Sequence, residues 1–534
     1  MSGTGMRASG ARAGSGIVAA CVALVLVLVL GGGVARAEPT DDQVRADEAL
    51  EAWDLGEARG LVGRLNSDDS ADAFNVYLTG KLALMEGRYG DALEKFEAAQ
   101  SKAPSPIFAH YIEIAKNTRD ETKGYVQHTT AGGHFIISTL PGVDEVLVPY
   151  AEDALERAYR ELTRIFDYVP EGPVRVEIYP TVDVLGAVSP LTVAEIRTSG
   201  TIALCKYNRL MVTSPRDLVY GYDWLDTLSH EFIHLLITKK SRNQVPIWIH
   251  EGLAKYYEVK WRPEVQPALD RHSEGFLAKA IAGDSLISFE AMSPSMAKLP
   301  SQEATATAFA EVWTVIAFLN ARKNGDSAAE LVKLIGDGHS DRDAVAKVAN
   351  IGWDRFEKAW KQYLQQQGFR ALDAAYEQRL LFKGKDTQAD ELSSIKIERA
   401  REFVWLGDRL RLKKRWVAAA KEYEKAKEHV GDKSPLVQGK YGYALLKAGR
   451  VAEAASELAR PIADYPRYVV LRVYLGDALA KLERWAEARA ELEEALTMNP
   501  FDPDLHRLLA EVYEHLGERA KAEVERKADR LTHP

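Results

Sequence analysis

Three stretches of the chain carry three different hydropathy rhythms. From about 41 to 118, apolar residues, many of them alanine, recur at helical spacing. Between about 125 and 365 the rhythm changes. His134–Ser138, Val174–Tyr179 and Asn208–Thr213 read as strands, Val143–Phe166 reads as an amphipathic helix, and after Asp223 the period is helical again. Strands first and helices afterwards predict an α+β domain. From 400 to 530 the helical pattern repeats itself. Leu406-Gly407, Tyr441-Gly442, Leu475-Gly476 and Leu509-Ala510 recur at steps of 35, 34 and 34, with Ala419, Ala454, Ala488 and Ala522 each twelve further on. Tyr423, Leu458 and Leu492 follow four later, and Pro466 and Pro500 close two of the units. A unit this short cannot bury its apolar face alone, so the units must stack into a superhelix with a concave surface.

A weaker version of the same spacing runs through Tyr77, Gly80, Leu84, Gly87, Ala92, Phe96, Ala99 and Pro104. Gly87 suits the turn between paired helices, Ala92 and Ala99 permit close helix contact, and Pro104 ends the unit. The C-terminal spacing resembles the tetratricopeptide repeat family, and that resemblance implies protein partners. The expected organisation is a signal peptide over 1–37, a helical repeat-like region over 41–118, the α+β domain over 125–365, a helical linker over 366–399 and repeats over 400–530.

The first residues read as a targeting segment. Arg7 and Arg12 precede the apolar run Ile17–Leu30, and Ala35-Arg36-Ala37 forms a small-x-small cleavage site. Fourteen residues make about 21 Å of helix, short of the roughly 30 Å hydrocarbon core, and Gly31–Gly33 then break the run. The expected location is therefore outside the cytoplasm: periplasm, cell envelope or beyond. Membrane contact is expected only through this segment, if it stays uncleaved. The apolar run follows Cys21 instead of preceding it, which disfavours lipidation there. Removal of the leader leaves Cys205 as the one thiol, which excludes an internal disulfide and a cysteine metal site.

Composition narrows the function classes. With 46% hydrophobic and 28% charged residues the chain is built for folded cores. A net charge of -9, a pI near 5.9 and the lack of a basic stripe argue against nucleic acid as partner.

The chemistry concentrates in His230-Glu231-Phe232-Ile233-His234 and Trp248-Ile249-His250-Glu251-Gly252-Leu253-Ala254. Two histidines four apart share one helix face, and a carboxylate between them can reach a metal-bound water. Glu251 on a second short helix completes the ligand set of a catalytic zinc site: two imidazoles, one carboxylate and an open fourth position. Leu225, Leu228, Phe232, Leu235 and Leu236 give the first helix a buried side, and Asp223 or Asp226 is placed to cap or charge its start. A buried Glu231 without a metal or a cationic partner would be costly.

These two motifs resemble those of gluzincin peptidases, and most closely the peptidase MA-like domains joined to tetratricopeptide repeats in exported proteins. The resemblance covers roughly 125–365 and implies a zincin-like fold in which His230, His234 and Glu251 bind one Zn2+ and Glu231 is the general base. Two departures matter. The aminopeptidase branch carries Gly-x-Met-Glu-Asn on a strand before the zinc helix, whereas this chain has Gly200-Thr-Ile-Ala-Leu-Cys-Lys-Tyr-Asn208, without the glutamate. Gluzincins also place an oxyanion-stabilising tyrosine on a later helix, where this chain has Phe309. Tyr222, Tyr256, Tyr257 and His250 are the substitutes within reach. Of these, Tyr256, Tyr257 and His250 are kept as candidates for transition-state or supporting roles. On a short helix His250 is expected to face away from the metal.

The sequence therefore predicts an α+β zincin-like domain, strands before helices, with helical repeat solenoids around it. The expected activity is that of an exported zinc hydrolase, an endopeptidase acting on protein or peptide substrates, with the repeats holding substrate or partner proteins. The alternatives are a zinc-binding scaffold with little turnover and hydrolysis of a non-peptide bond.

Overall fold

The computed structural model describes residues 39–533 apart from 70, 294–295, 297–298, 372–379 and 384–390. The expected leader over 1–37 lies outside the described residues. The chain divides into two compact units, one of Met1–Leu50 with Leu55–Arg119 and one of Glu51–Asp54 with Asp120–Pro534.

In the first unit the described residues form antiparallel helical pairs. Asp72 starts helix Ala73–Met85 by accepting the Phe74 and Asn75 N–H groups at 2.9 Å. Its partner is Tyr89–Lys102, on which Ala92, Phe96 and Ala99 are fully buried. A Cβ on Gly80 would stand 2.6 Å from the Phe96 ring, so the pair packs through a missing side chain.

The second unit begins with a five-stranded sheet of order β1-β2-β3-β5-β4. Its strands are β1 (Val126–Thr129), β2 (Phe135–Thr139), β3 (Val174–Tyr179), β4 (Ala203–Lys206) and β5 (Arg209–Thr213). The pairs β2–β3 and β3–β5 are parallel, and the outer strands β1 and β4 are antiparallel to their neighbours. Strand β3 lies where expected, whereas β2 and β5 each begin one residue later. The span expected as one helix from Val143 to Phe166 is a 3-10 turn, Val143–Leu147, followed by α1 (Val148–Phe166). Pro149 sits in the first turn of α1, where no backbone donor is needed.

Helix α2 (Trp224–Ser241) packs on β4, β5 and α1. Leu225, Leu228, Phe232, Leu235 and Leu236 are all buried there, and the Phe232 ring meets that of Phe135 at 5.2 Å. Next come α3 (Ile247–Tyr257) and, later, α4 (Gln302–Lys323), which pack against each other. The expected helical linker over 366–399 is helical at 391–393 and from Glu398 but not at 381–383. Among its described residues, Leu381–Lys383 run extended beside 217–219, with Val219 N–H on the Leu381 carbonyl and Lys383 N–H on the Asp217 carbonyl, both at 2.8 Å. A backbone partner outside the segment removes the need for a helix there.

The C-terminal repeats show one packing rule. A Cβ on Gly407 would meet Tyr423 at 2.5 Å, on Gly442 Leu458 at 2.4 Å, and on Gly476 Leu492 at 2.5 Å. In each case the large residue stands sixteen further on, as it does for Gly80 and Phe96. The first helix of a pair thus receives a side chain of the second into its backbone surface.

Two outcomes follow for stability. Gly442→Val should destabilise the chain by about 1–3 kcal/mol in denaturant unfolding, because the repeat is overpacked. Gly63→Ala, on an exposed helical position with nothing within 4 Å, should instead stabilise it by up to about 1 kcal/mol. Glu311 on α4 is fully buried; it accepts the Ile287 N–H at 2.9 Å and its second oxygen has no partner. Burial pushes its carboxyl up to about 8. The folded state then holds a proton that the unfolded chain releases near pH 4.5, so stability falls as pH rises towards 8. Thermal midpoints of Glu311→Gln should fall less over pH 5–8 than those of the unaltered chain.

Candidate metal centre

Three potential ligands converge between α2 and α3. His230 and His234 lie one turn apart on α2, with their Nε2 atoms 3.1 Å from each other. Glu251 Oε2 of α3 stands 3.4 Å from His230 Nε2 and 3.5 Å from His234 Nε2. The ligand atoms of these three residues all lie within 4.8 Å of one another. Tetrahedral zinc with bonds of about 2.0–2.1 Å would hold its ligand atoms roughly 3.3 Å apart, so this set fits that ion without rearrangement.

The approach of α3 depends on Gly252. A Cβ there would stand 2.9 Å from the Val312 carbonyl of α4, so only glycine lets α4 press α3 onto α2. His250, Glu251, Ala254 and Glu258 then share the face turned to α2. This reverses the expectation for His250. Its Nδ1 lies 2.7 Å from His234 Nδ1 and its ring packs against that of His234 at 4.9 Å. Neighbours on a helix are 100° apart, so a close enough partner helix receives both His250 and Glu251.

The outward nitrogens of both histidines are engaged. His230 Nδ1 is 2.9 Å from Glu258 Oε2, and Glu258 Oε1 accepts Lys255 Nζ at 2.6 Å. Burial pulls the His230 imidazole down, but hydrogen bonds to Glu251 and Glu258 outweigh it and raise it to about 10. A metal cation would displace that proton. Burial raises Glu258, yet Lys255 and His230 draw it down to about 2. Burial, aided by His234, lowers His250 to about 3, so its ring is neutral. A neutral His250 can accept the Nδ1–H of His234, which fixes the tautomer with a free Nε2 lone pair.

Glu231 lies between the ligand histidines and strand β4. It is buried, accepts the backbone N–H of Cys205 on β4, and has one oxygen, Oε2, without a partner. Burial raises its carboxyl against the pull of His234 and His230. An orphaned buried oxygen beside a cluster of ligand atoms is what a site awaiting an ion and water would leave.

Two of the tyrosine hydroxyls are occupied elsewhere. Tyr222 donates its hydroxyl to the Thr213 carbonyl. Tyr257 is buried and its hydroxyl accepts Asn320 Nδ2 at 2.9 Å. The Tyr256 ring packs on Trp313 at 5.4 Å. Neither Asp223 nor Asp226 caps α2. Asp223 occupies the cap position without a side-chain bond to the helix, while Asp226 accepts Trp261 Nε1 and Arg262 Nη2, both at 2.7 Å. Glu258 escaped sequence reading, although its place seven residues after Glu251, on the same face, was a usable signal.

Comparison with known proteins agrees with this architecture. Residues 151–366 match the family described as Peptidase MA superfamily, and residues 445–512 match the Tetratricopeptide repeat. The chain carries a peptidase MA-like domain flanked by tetratricopeptide repeats. Among solved structures it is similar to MamA of MSR-1, at 21% identity over 27% of this chain and 86% of that one, with a TM-score of 0.23. The P58(IPK) TPR domain shares 12% identity over 89% and 98%, with a TM-score of 0.22. Yeast LTA4 hydrolase in complex with bestatin shares 12% over 77% and 67%, with a TM-score of 0.27. No curated protein matches the chain.

Glu258→Gln keeps the shape of its side chain and removes the charge facing His230. Its zinc dissociation constant, read by chelator competition, should rise about 10- to 100-fold. An unchanged constant would show that Glu258 does not support the ligand.

Proposed function

We propose that the protein is an exported, zinc-dependent endopeptidase whose repeats hold protein substrates or partners. The observation that carries this reading is the cluster of His230, His234 and Glu251 beside the unpartnered, buried Glu231 Oε2. His230, His234 and Glu251 would hold the ion, with Glu258 and His250 fixing the two imidazoles. When bound, zinc polarises a scissile carbonyl and lowers the pKa of water. Glu231 takes the proton of the attacking water and returns it to the leaving amine. Its raised affinity for a proton suits both transfers. The absence of a glutamate from 200–208 leaves nothing there to bind a free amino terminus, which favours cleavage within chains. Export rests on the charged, apolar and small-residue succession of the first 37 residues.

One observation favours a second reading, a zinc-holding scaffold with little turnover. Phe309 cannot donate a hydrogen bond, and the hydroxyls of Tyr222 and Tyr257 already have partners. Loss of one oxyanion donor costs on the order of a hundred- to a thousand-fold in rate.

Zinc content and cleavage of an unfolded protein distinguish the two. Glu231→Gln should keep zinc and lose cleavage, while Glu251→Ala should lose zinc. Equal, negligible cleavage by Glu231→Gln and the unaltered, zinc-loaded chain would establish the scaffold. Full zinc occupancy in Glu251→Ala would remove Glu251 from the ligand set.

A further inference from the structure

The C-terminal repeats touch the metal domain at the start of α2, through the turns between their helix pairs. The Met498 carbonyl accepts the Tyr222 N–H at 3.0 Å, and the Leu496 carbonyl accepts Trp224 Nε1 at 3.2 Å. Gly221 has φ +69°, and a Cβ on it would stand 2.3 Å from the Met498 carbonyl, so the backbones meet without room for a side chain. Arg262 joins the two regions as well, with Asp226 at 2.7 Å on one side and Glu494 of the repeats at 2.9 Å on the other.

Arg467, in the repeat turn before helix Val469–Lys481, reaches furthest. Its Nε lies 2.6 Å from Asp223 Oδ2 and its Nη2 lies 3.7 Å from Asp270 Oδ2. Asp223, Asp226 and His230 fall at i, i+3 and i+7, one face of α2. Across that face stand Glu258, bonded to His230, and Lys255, bonded to Glu258. The first turn below the ligands therefore gathers four carboxylates, Asp223, Asp226, Asp270 and Glu258. Arg467 feels all four, and they raise its pKa well above the usual range, Asp223 most strongly.

We propose that Arg467, although part of the repeats, is a positioning residue of the metal centre. It neutralises Asp223 and Asp270 so that Lys255 stays on Glu258 and Glu258 stays on His230. This rests on the reading that His230, His234 and Glu251 hold zinc. Lys255 already acts on the Asp270 carboxylate, so without the Arg467 charge Asp270 competes for Lys255, and Glu258 loses the cation that keeps it aimed at His230. The repeats then belong to the site and are more than a separate binding module attached to it.

The test uses the full chain with Arg467→Met, which keeps reach and loses charge, and Arg467→Lys, which keeps charge. Arg489→Met is the comparator, because Arg489 pairs with Glu518 inside the repeats, 2.8 Å away. Zinc affinity is read by chelator competition, and cleavage is measured alongside. Arg467→Met should weaken zinc binding about tenfold, Arg467→Lys should recover most of that loss, and Arg489→Met should bind zinc as the unaltered chain does. Unchanged affinity in Arg467→Met, no recovery in Arg467→Lys, or an equal loss in Arg489→Met would each overturn the assignment. Zinc binding without cleavage in the unaltered chain would defeat the peptidase reading alone and leave the Arg467 result standing. No zinc uptake by the unaltered chain would defeat both.

Discussion

Burying Glu231 and Glu258, and half-burying Glu251, beside two histidines is the constraint on which the rest of the central domain turns. A carboxylate removed from water needs a cation or donors close by. Glu258 has Lys255 and His230, Glu251 has both histidines, and Glu231 has one backbone N–H and one open oxygen. Such a set forms with α3 lodged between α2 and α4, and α4 comes so close that position 252 has no room for a side chain. The helices are thus arranged around an electrostatic demand as much as around an apolar core.

The same constraint explains what could be read from the sequence. Periodicity exposed α2, β3 and the repeats, because burial on one face leaves a rhythm in the residues themselves. The glycine and its large partner sixteen residues on recur in three of the four C-terminal units, so packing between paired helices was visible as spacing. Strands β1 and β4 were not visible. Each is four residues long, and Val126-Gln127-His128-Thr129 or Ala203-Leu204-Cys205-Lys206 gives no sustained alternation. They are outer strands defined by their neighbours' hydrogen bonds.

In the site, the grouping of His230, His234 and Glu251 was legible because helix geometry dictates it at short range. The orientation of His250 was misjudged, since a helical wheel does not say how near the partner helix comes. Of the roles expected of Asp223 or Asp226, Asp226 does place its charge in the first turn, but neither caps the helix, because Arg467 and Arg262 offer these carboxylates full charges, which outcompete backbone N–H groups. Arg467 stands 237 positions after His230, and no local pattern announces a pairing over that distance. Long-range electrostatics is the part of this molecule that spacing does not encode.

The repeat turn that carries Arg467 gives the molecule a temporal property. Paired repeat helices close contacts sixteen residues apart, so they form early and locally as the chain is made. The neighbourhood of His230 is complete only after residues 467 and 494–498 have emerged and docked. A chain cut short or stalled before that point would carry the whole histidine and glutamate motif and still lack its finished surroundings. The placement of Arg467 and Glu494 late in the sequence thus ties the finished surroundings of His230 to the emergence of the repeats.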